Sequence, residues 1–178
     1  MQAFLNFLTG GGILLVVPLV AVLFIAVKSF HLIGPTQVGL VLKRLGSKLP
    51  DENPIALNGE AGYQADLLMP GLRFRIWPIY AVSKHDWVQV PAGQIGLVIA
   101  QVGKPLNVGS QTGIYKAAFG NFADVRAFLA GGGQKGVQRP VLPPGTLAPI
   151  HPIAFLVLTK EREFGQPVAE HSKKLLDE

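Results

Sequence analysis

The N-terminal stretch of the chain is apolar and uncharged. No charged side chain occurs between Met1 and Val27, and Lys28 is the first. A bilayer core requires about 20 predominantly apolar residues in a helix, and the uncharged flank at the start of the chain brings the run to that length. Pro18 is tolerated in a membrane helix because neighbouring groups satisfy the freed carbonyl. We therefore expect residues 1–32 to form a transmembrane anchor. Its membrane-anchoring side chains are expected to be Ile13, Leu14, Leu15, Val16, Val17, Leu19, Val20, Val22, Leu23, Phe24, Ile25 and Val27.

The alternatives for this stretch are a cleaved signal peptide and a buried helix of a soluble domain. A signal peptide begins with basic residues and ends at a small-residue cleavage site, and the chain shows neither feature. Basic residues follow the apolar run at Lys28, Lys43, Arg44 and Lys48, before the first acid, Asp51. The positive-inside rule then predicts a single-pass protein of the cell (inner) membrane, with its body on the cytoplasmic side.

Beyond the apolar run, the pattern changes to that of short strands separated by turns. Residues 36–44 and 81–90 are β-type runs, and apolar residues at 72–76 alternate with Arg73 and Arg75. Alternation with period two is typical of a half-buried strand. The two arginines therefore share one face, which is either solvated or directed at lipid headgroups.

The pattern of the first half recurs in the second half. Gln37–Val41 is echoed by Gln94–Val98, and Gly46–Leu49 is echoed by Gly103–Leu106. Recurrence at a kept spacing indicates two copies of one supersecondary unit. We therefore expect two tandem β modules. Further matched positions are Leu68, Pro70, Gly71, Ile76, Pro78 and Ile79 with Leu142, Pro144, Gly145, Ile150, Pro152 and Ile153.

One insertion distinguishes the second module and predicts a helix at about 121–130. Asn121 is a suitable N-cap, and Gly131–Gly133 end the helix. The apolar residues at helical spacing are Phe122, Val125, Phe128 and Leu129.

The expected fold class is α+β and mostly β, with an N-terminal transmembrane helix and two tandem β modules. The expected divisions are residues 1–32 for the anchor helix, 33–90 for the first module, 91–160 for the second module with its inserted helix, and 161–178 for a polar tail. Pro167 is expected to open a helix in this tail, as the start of a longer segment.

Composition narrows the classes of partner. After an anchor, 178 residues leave room for about one domain of ordinary size. A net charge of +5 suits an anionic leaflet. Nucleic-acid binding would predict clustered Lys and Arg with interleaved aromatics, and the sequence has no such cluster. Because cysteine is absent, disulfides and thiolate chemistry are excluded.

No catalytic, cofactor-binding or metal-binding residues are expected. His31, His85, His151 and His171 lack the spacing of metal ligands. Gly131–Gly136 matches the pattern G-x-G-x-x-G, but a helix precedes it where dinucleotide binding requires a strand. No phosphate-binding Gly-Lys-Ser/Thr turn or G-x-S-x-G turn occurs. The sequence therefore predicts a protein that is not an enzyme and needs no cofactor.

The stretch PGLRFRIWPI at 70–79, followed by VSKHD at 82–86, resembles the signature of the SPFH or band 7 family, which includes stomatins, prohibitins and flotillins. Gln37–Val41 is similar to the opening strand of that family. The resemblance covers residues 34–86 well and, through the repeat, residues 92–157 loosely. The matched motif residues, to which the resemblance assigns structural roles, are Gly39, Pro70, Gly71, Leu72, Phe74, Ile76, Pro78, Lys84 and Asp86.

The resemblance implies a flotillin-like, membrane-anchored scaffold with SPFH-type modules. Such a protein oligomerises into large rings or cages on the lipid bilayer and organises lipids or membrane-protein clients. The alternative function is an accessory subunit that regulates a membrane protease, a transporter or another membrane complex by direct binding. Core or membrane-facing patches are expected at Leu72, Phe74, Ile76, Trp77, Ile79, Trp87, Ile150, Ile153 and Phe155.

Overall fold

The computed structural model describes residues 1, 13–50 and 53–168. Within them, the helices are α1 (Ile13–Ser29) and α2 (Val125–Ala130), and a 3-10 segment (Ala117–Phe122) precedes α2. The strands are β1 (Phe30–Ile33), β2 (Gln37–Lys43), β3 (Ile55–Ala56), β4 (Gly62–Gln64), β5 (Gly71–Phe74), β6 (Tyr80–Asp86), β7 (Val88–Gln89), β8 (Leu97–Ala100), β9 (Gly136–Val137), β10 (Leu147–Ala148), β11 (Phe155–Leu158) and β12 (Glu163–Phe164). The mostly β part of the expected fold class fits these elements.

The predicted N-terminal transmembrane helix is wrong. Across residues 13–50 and 53–168, no helix combines the length and the apolar character needed to cross a bilayer. α1 has 17 residues, which gives about 25 Å at 1.5 Å per residue, against a hydrocarbon core of about 30 Å. The prediction had counted the uncharged flank, and residues 2–12 lie outside the described residues. At its other end α1 stops at Ser29, where the chain passes directly into β1.

Each half of the chain builds a small antiparallel unit around one central strand. In the first half β2 lies between β4 and β6, with β3 parallel to β4 at the edge. In the second half β8 lies between β9 and β11, with β12 beyond β11. Two further pairs, β1 with β5 and β7 with β10, form separate two-stranded sheets.

The pairings of the first half have counterparts in the second half. β1 pairs with β5 as β7 pairs with β10, and the isolated bridge between Gly39 and Leu68 has its counterpart between Gly96 and Leu142. The Gln64 side chain donates hydrogen bonds to the carbonyl oxygens two and four residues before it, and Gln138 does the same. Two further equivalent side-chain bonds join Gln37 to Asp86 at 3.1 Å and Gln94 to Glu161 at 2.7 Å.

The structure shows these matched pairings directly. Two points remain predictions: the domain limits at 33–90 and 91–160, and the SPFH type of the modules. The core does not divide at residue 90. Leu40 and Ile55 from the first half pack in one buried cluster with Val98 and Phe155 from the second half. The two halves therefore depend on each other for the burial of apolar surface.

Two contacts between polar groups also join the halves. Arg126 on α2 donates through Nε and Nη2 to the two carboxylate oxygens of Asp66, both at 2.8 Å. The His151 ring, fully buried, lies with its Nε2 3.1 Å from the carbonyl oxygen of Gln64. Its Nδ1 accepts hydrogen bonds from the backbone N–H groups of Ile153 and Ala154. Nε2 is therefore the protonated nitrogen of a neutral ring.

The inserted helix is shorter than expected and has a different N-cap. α2 begins at Val125, and the Asp124 side chain accepts the capping bond from the Ala127 N–H at 2.9 Å. Asn121 has a left-handed backbone and instead accepts a hydrogen bond from the Tyr115 hydroxyl at 3.0 Å. The helical spacing of apolar residues in the sequence continues across a kink in the backbone. Phe122 belongs to the 3-10 segment before the kink, but it packs into the same core as the apolar residues of α2.

One strand prediction differs in detail from the structure, and one helix prediction lies largely outside the described residues. The run at 81–90 forms two strands, β6 and β7, separated by Trp87. The expected helix after Pro167 falls on residues 169–178, which lie outside the described residues, while Glu163–Phe164 forms β12.

Glycine at positions 39 and 96 is required by close packing. A Cβ at Gly39 would lie 2.7 Å from Ile33 Cδ1 and 3.1 Å from Leu68 Cβ, and one at Gly96 would lie 3.0 Å from Val90 Cγ2 and 3.1 Å from Leu142 Cβ. Gly39→Ala and Gly96→Ala are each expected to lower the free energy of unfolding by about 1–3 kcal/mol through overpacking. Urea unfolding in mild detergent measures the change.

Gly34→Ala is the control for these substitutions. Its Cβ would meet only the movable end of the Gln37 side chain, nearest at 3.0 Å. We expect a change below about 0.5 kcal/mol, as for ordinary surface substitutions. A loss in Gly34→Ala equal to that in Gly96→Ala would contradict the packing argument.

Candidate functional site

α1 exposes apolar side chains in every direction around its axis. Four consecutive residues, Leu14 to Val17, are all exposed, and consecutive helical positions point about 100° apart. A helix that is apolar all round is normally buried in a protein core or in a membrane. The exposed large apolar residues of α1 are Leu14, Leu15, Val16, Val17, Leu19, Val20, Val22, Leu23, Phe24 and Val27.

The β1–β5 ribbon extends this apolar surface below the helix. Phe30 lies opposite Phe74, and Leu32 lies opposite Leu72, so that all four side chains share one face. All four are at least half exposed, and the two phenylalanine rings lie 5.2 Å apart between centroids. Ile76, two residues after Phe74, is also exposed. We call α1 together with these five side chains the apolar surface.

The exposure of this ribbon corrects the expectation of a half-buried strand at 72–76. The alternation of apolar residues with arginines is present, but every residue of β5 is exposed. Because β5 pairs only with β1, no second layer covers its apolar face within the described residues. Leu72 and Phe74 therefore face outward, whereas Ile150, Ile153 and Phe155 of the second half are buried in the core.

The base of α1 is fixed to the β5–β6 connection. The fully buried Ser29 hydroxyl donates to the Ile25 carbonyl oxygen at 2.6 Å and accepts from the Trp77 backbone N–H at 3.0 Å. The Arg75 N–H donates to the Ser29 carbonyl oxygen at 2.8 Å. The Phe24 and Trp77 rings meet edge to face, with centroids 5.5 Å apart. These contacts hold the end of the helix against the strands β1 to β12 and their connections, which we call the β body.

Basic side chains occur in the last turn of α1, on β5 and directly after β5. Lys28 lies in the last turn of α1, with its Nζ 5.9 Å from the centroid of the Phe24 ring. Arg73 donates from Nε and Nη2 to the carbonyl oxygens of Met69 and Pro70, at 3.0 and 3.2 Å. Arg75 donates from Nη1 to the Phe74 carbonyl oxygen at 3.1 Å.

The family-motif residues divide between packing and surface positions. Gly39 is buried at the centre of β2, and Pro70 and Gly71 form the entry to β5, with Gly71 at φ +114°. Lys84 and Asp86 are exposed on β6, where Asp86 accepts the bond from Gln37. Pro78 lies in the turn before β6. Leu72 and Phe74 lie on β5, which pairs with β1, the strand that continues directly from α1.

One hydroxyl lies beside a histidine ring in the described residues, where Ser83 Oγ is 3.2 Å from His85 Nε2 on β6. No group of three or more His, Cys, Asp and Glu side chains in them is placed to hold a metal ion. A cleft of about 760 Å³ is lined by residues that include Lys104, Arg126 and Lys135, and the described part of its lining contains no histidine, hydroxyl or carboxylate side chain.

Comparison of the chain with protein-family models, curated proteins and solved structures finds no match. The resemblance to the SPFH family therefore remains a prediction from the residues quoted above.

His151 makes the stability of the fold depend on pH. Burial lowers its pKa from 6.5 to about 4, which outweighs the hydrogen bond to Gln64 that favours the charged form. Between pH 6.5 and about 4 the unfolded chain binds a proton that the folded chain excludes. This contribution to stability is complete above pH 6.5 and is lost as the pH falls, by roughly 3 kcal/mol in total.

Urea unfolding at a series of pH values tests this expectation. His151→Gln should flatten the slope between pH 6.5 and 4, whereas His85→Gln should change it less, because His85 is only partly buried. An unchanged slope in His151→Gln would contradict the assignment.

Proposed function

We propose that the chain is a non-catalytic, membrane-associated scaffold of SPFH type at the cell membrane. The observation that carries this proposal is the apolar surface, and above all the exposure of α1 on all of its sides. A groove on a partner protein would cover one side of such a helix, whereas the hydrocarbon of a lipid layer surrounds it. Large exposed apolar patches mark interaction sites with membranes or proteins. Entry of α1 into lipid is therefore the proposed mode of attachment.

The base of α1 has the composition of a membrane interface. Trp77 packs against Phe24 where the helix ends, and Lys28 and Arg75 lie at the same level of the structure. Tryptophan and basic residues concentrate where hydrocarbon meets headgroups. This arrangement supports a position of the β strands outside the hydrocarbon, with Ser29 and the β1–β5 ribbon joining them to α1.

A matched pair of substitutions tests lipid contact. Leu72 and Leu147 lie in the equivalent strands β5 and β10, and both are exposed, by 64% and 49%. Only Leu72 adjoins α1 through the β1–β5 ribbon. Leu72→Asp is expected to weaken binding to vesicles by about tenfold or more, since an apolar side chain of this size contributes about 1.5–3 kcal/mol when buried. Leu147→Asp should leave binding within about twofold.

Flotation with phospholipid vesicles, after removal of detergent, measures the bound fraction. Equal losses in the two variants would show that the negative charge itself weakens binding. Wild-type protein that stays in the aqueous fraction would contradict the proposed attachment.

The scaffold part of the proposal predicts self-assembly. A scaffold is expected to run as a large homo-oligomer in mild detergent, because copies related by a repeated interface close into rings. Light scattering after size exclusion gives the mass. A small particle that co-purifies at a fixed ratio with a different membrane protein would contradict the scaffold and favour the accessory subunit.

A further inference from the structure

Three cations lie in the last turn of α1 and in the segment 73–75 that runs beside the start of β1. Lys28 is in the last turn of α1, Arg75 is bonded through its backbone to Ser29 at the helix base, and Arg73 lies two residues further along β5. Residues two apart in a strand are about 6–7 Å apart along its axis. We call Lys28, Arg73 and Arg75 the basic collar.

No carboxylate of the described residues neutralises the charges of the basic collar through an ion pair. Within residues 13–50 and 53–168, none of the three forms an ion pair with a carboxylate. The charge of Arg75 contributes to the lowered pKa of Asp66. Both carboxylate oxygens of Asp66, however, accept hydrogen bonds from Arg126 at 2.8 Å. The hydrogen bonds that Arg73 and Arg75 do make are to neutral backbone carbonyl groups.

The positions of the collar match the thickness of a headgroup layer. A bilayer of 40–45 Å with a hydrocarbon core of about 30 Å leaves about 5–8 Å of headgroups on each side. With α1 in the hydrocarbon, Lys28 and Arg75 would lie at the boundary between hydrocarbon and headgroups. Arg73 would lie two residues along the strand, about 6–7 Å farther from the hydrocarbon. The guanidinium groups keep further N–H donors for the oxygens of a phosphate.

We propose that the basic collar binds the phosphate groups of anionic phospholipids and so selects an anionic membrane surface over a neutral one. This inference rests on the proposed attachment of α1 to lipid and names the kind of lipid that the attachment requires. The partner chemistry is a phosphodiester headgroup with net negative charge, presented at a bilayer surface.

Flotation of the full chain with two kinds of vesicle tests this inference. One kind contains phosphatidylcholine alone, and the other is an equal mixture of phosphatidylcholine and phosphatidylglycerol. Each basic residue near an anionic surface contributes about 1 kcal/mol, or roughly fivefold in affinity. The triple variant K28Q/R73Q/R75Q should therefore reduce the preference for anionic vesicles on the order of a hundredfold.

Two control variants separate charge from structure. Arg139→Gln removes an exposed arginine that follows β9 in the other four-stranded sheet, and it should leave the preference within about twofold. R73K/R75K keeps both charges and should retain most of the preference. In about 1 M salt, where the screening length is about 3 Å, the wild-type preference should largely disappear.

The outcomes distinguish this inference from the proposed function. Wild-type protein that floats equally with both vesicles, or a triple variant that keeps the full preference, overturns the inference and leaves lipid attachment standing. Wild-type protein that floats with neither vesicle overturns both.

Discussion

The constraint on which the account depends is the cost of leaving α1 in water. Ten large apolar side chains of this helix are exposed, and burying each is worth about 1.5–3 kcal/mol. Covering them therefore recovers on the order of 10 kcal/mol, which is comparable to the whole stability of a typical domain. The β body supplies contacts at the helix base through Ser29 and Trp77, but the remaining length of α1 projects from it.

The β body holds the base of that helix. Its two halves use equivalent strand pairings, and they share one core that runs through β2, β8 and β11. The aromatic rings of Phe119, Phe122 and Phe128 fill this core against Phe155, with the Phe128 and Phe155 centroids 5.0 Å apart. The β1–β5 ribbon is held through Ile33, which packs with Val41 and Leu68 in a second buried cluster.

Sequence reasoning succeeded where the signal was local or periodic. The strand at 36–44 is found as Gln37–Lys43, and the repeated Gln94–Val98 motif leads into β8, the central strand equivalent to β2. It failed where the result depended on tertiary partners. The alternation of apolar and basic residues at 72–76 indicates a strand. It does not indicate whether the apolar face of that strand packs on a protein core or stays exposed. The N-cap was predicted wrongly because asparagine and aspartate both cap helices well, so the sequence alone does not distinguish Asn121 from Asp124. The kink before α2 makes Asp124 the residue that caps the helix.

The C-terminal end of α1 was expected at residue 32 and lies at Ser29 for a different reason. A hydropathy pattern counts uncharged residues, whereas a helix ends where its backbone finds other partners. The Ser29 carbonyl accepts the Arg75 N–H, and the chain continues as β1 paired with β5. The basic collar was visible in the sequence as alternating arginines, but its nearness to Lys28 follows only from that pairing.

Fluorescence quenching by brominated phospholipids tests the central claim most directly, because the chain has two tryptophans, Trp77 and Trp87. Trp77 lies at the base of α1, and Trp87 follows the far end of the seven-residue β6, about 20 Å away along the strand. In Trp87→Phe, the remaining Trp77 should be quenched strongly by vesicles brominated near the top of the acyl chains. In Trp77→Phe, the remaining Trp87 should be quenched little. Equal quenching of both, or quenching of neither, would contradict the insertion of α1 into lipid.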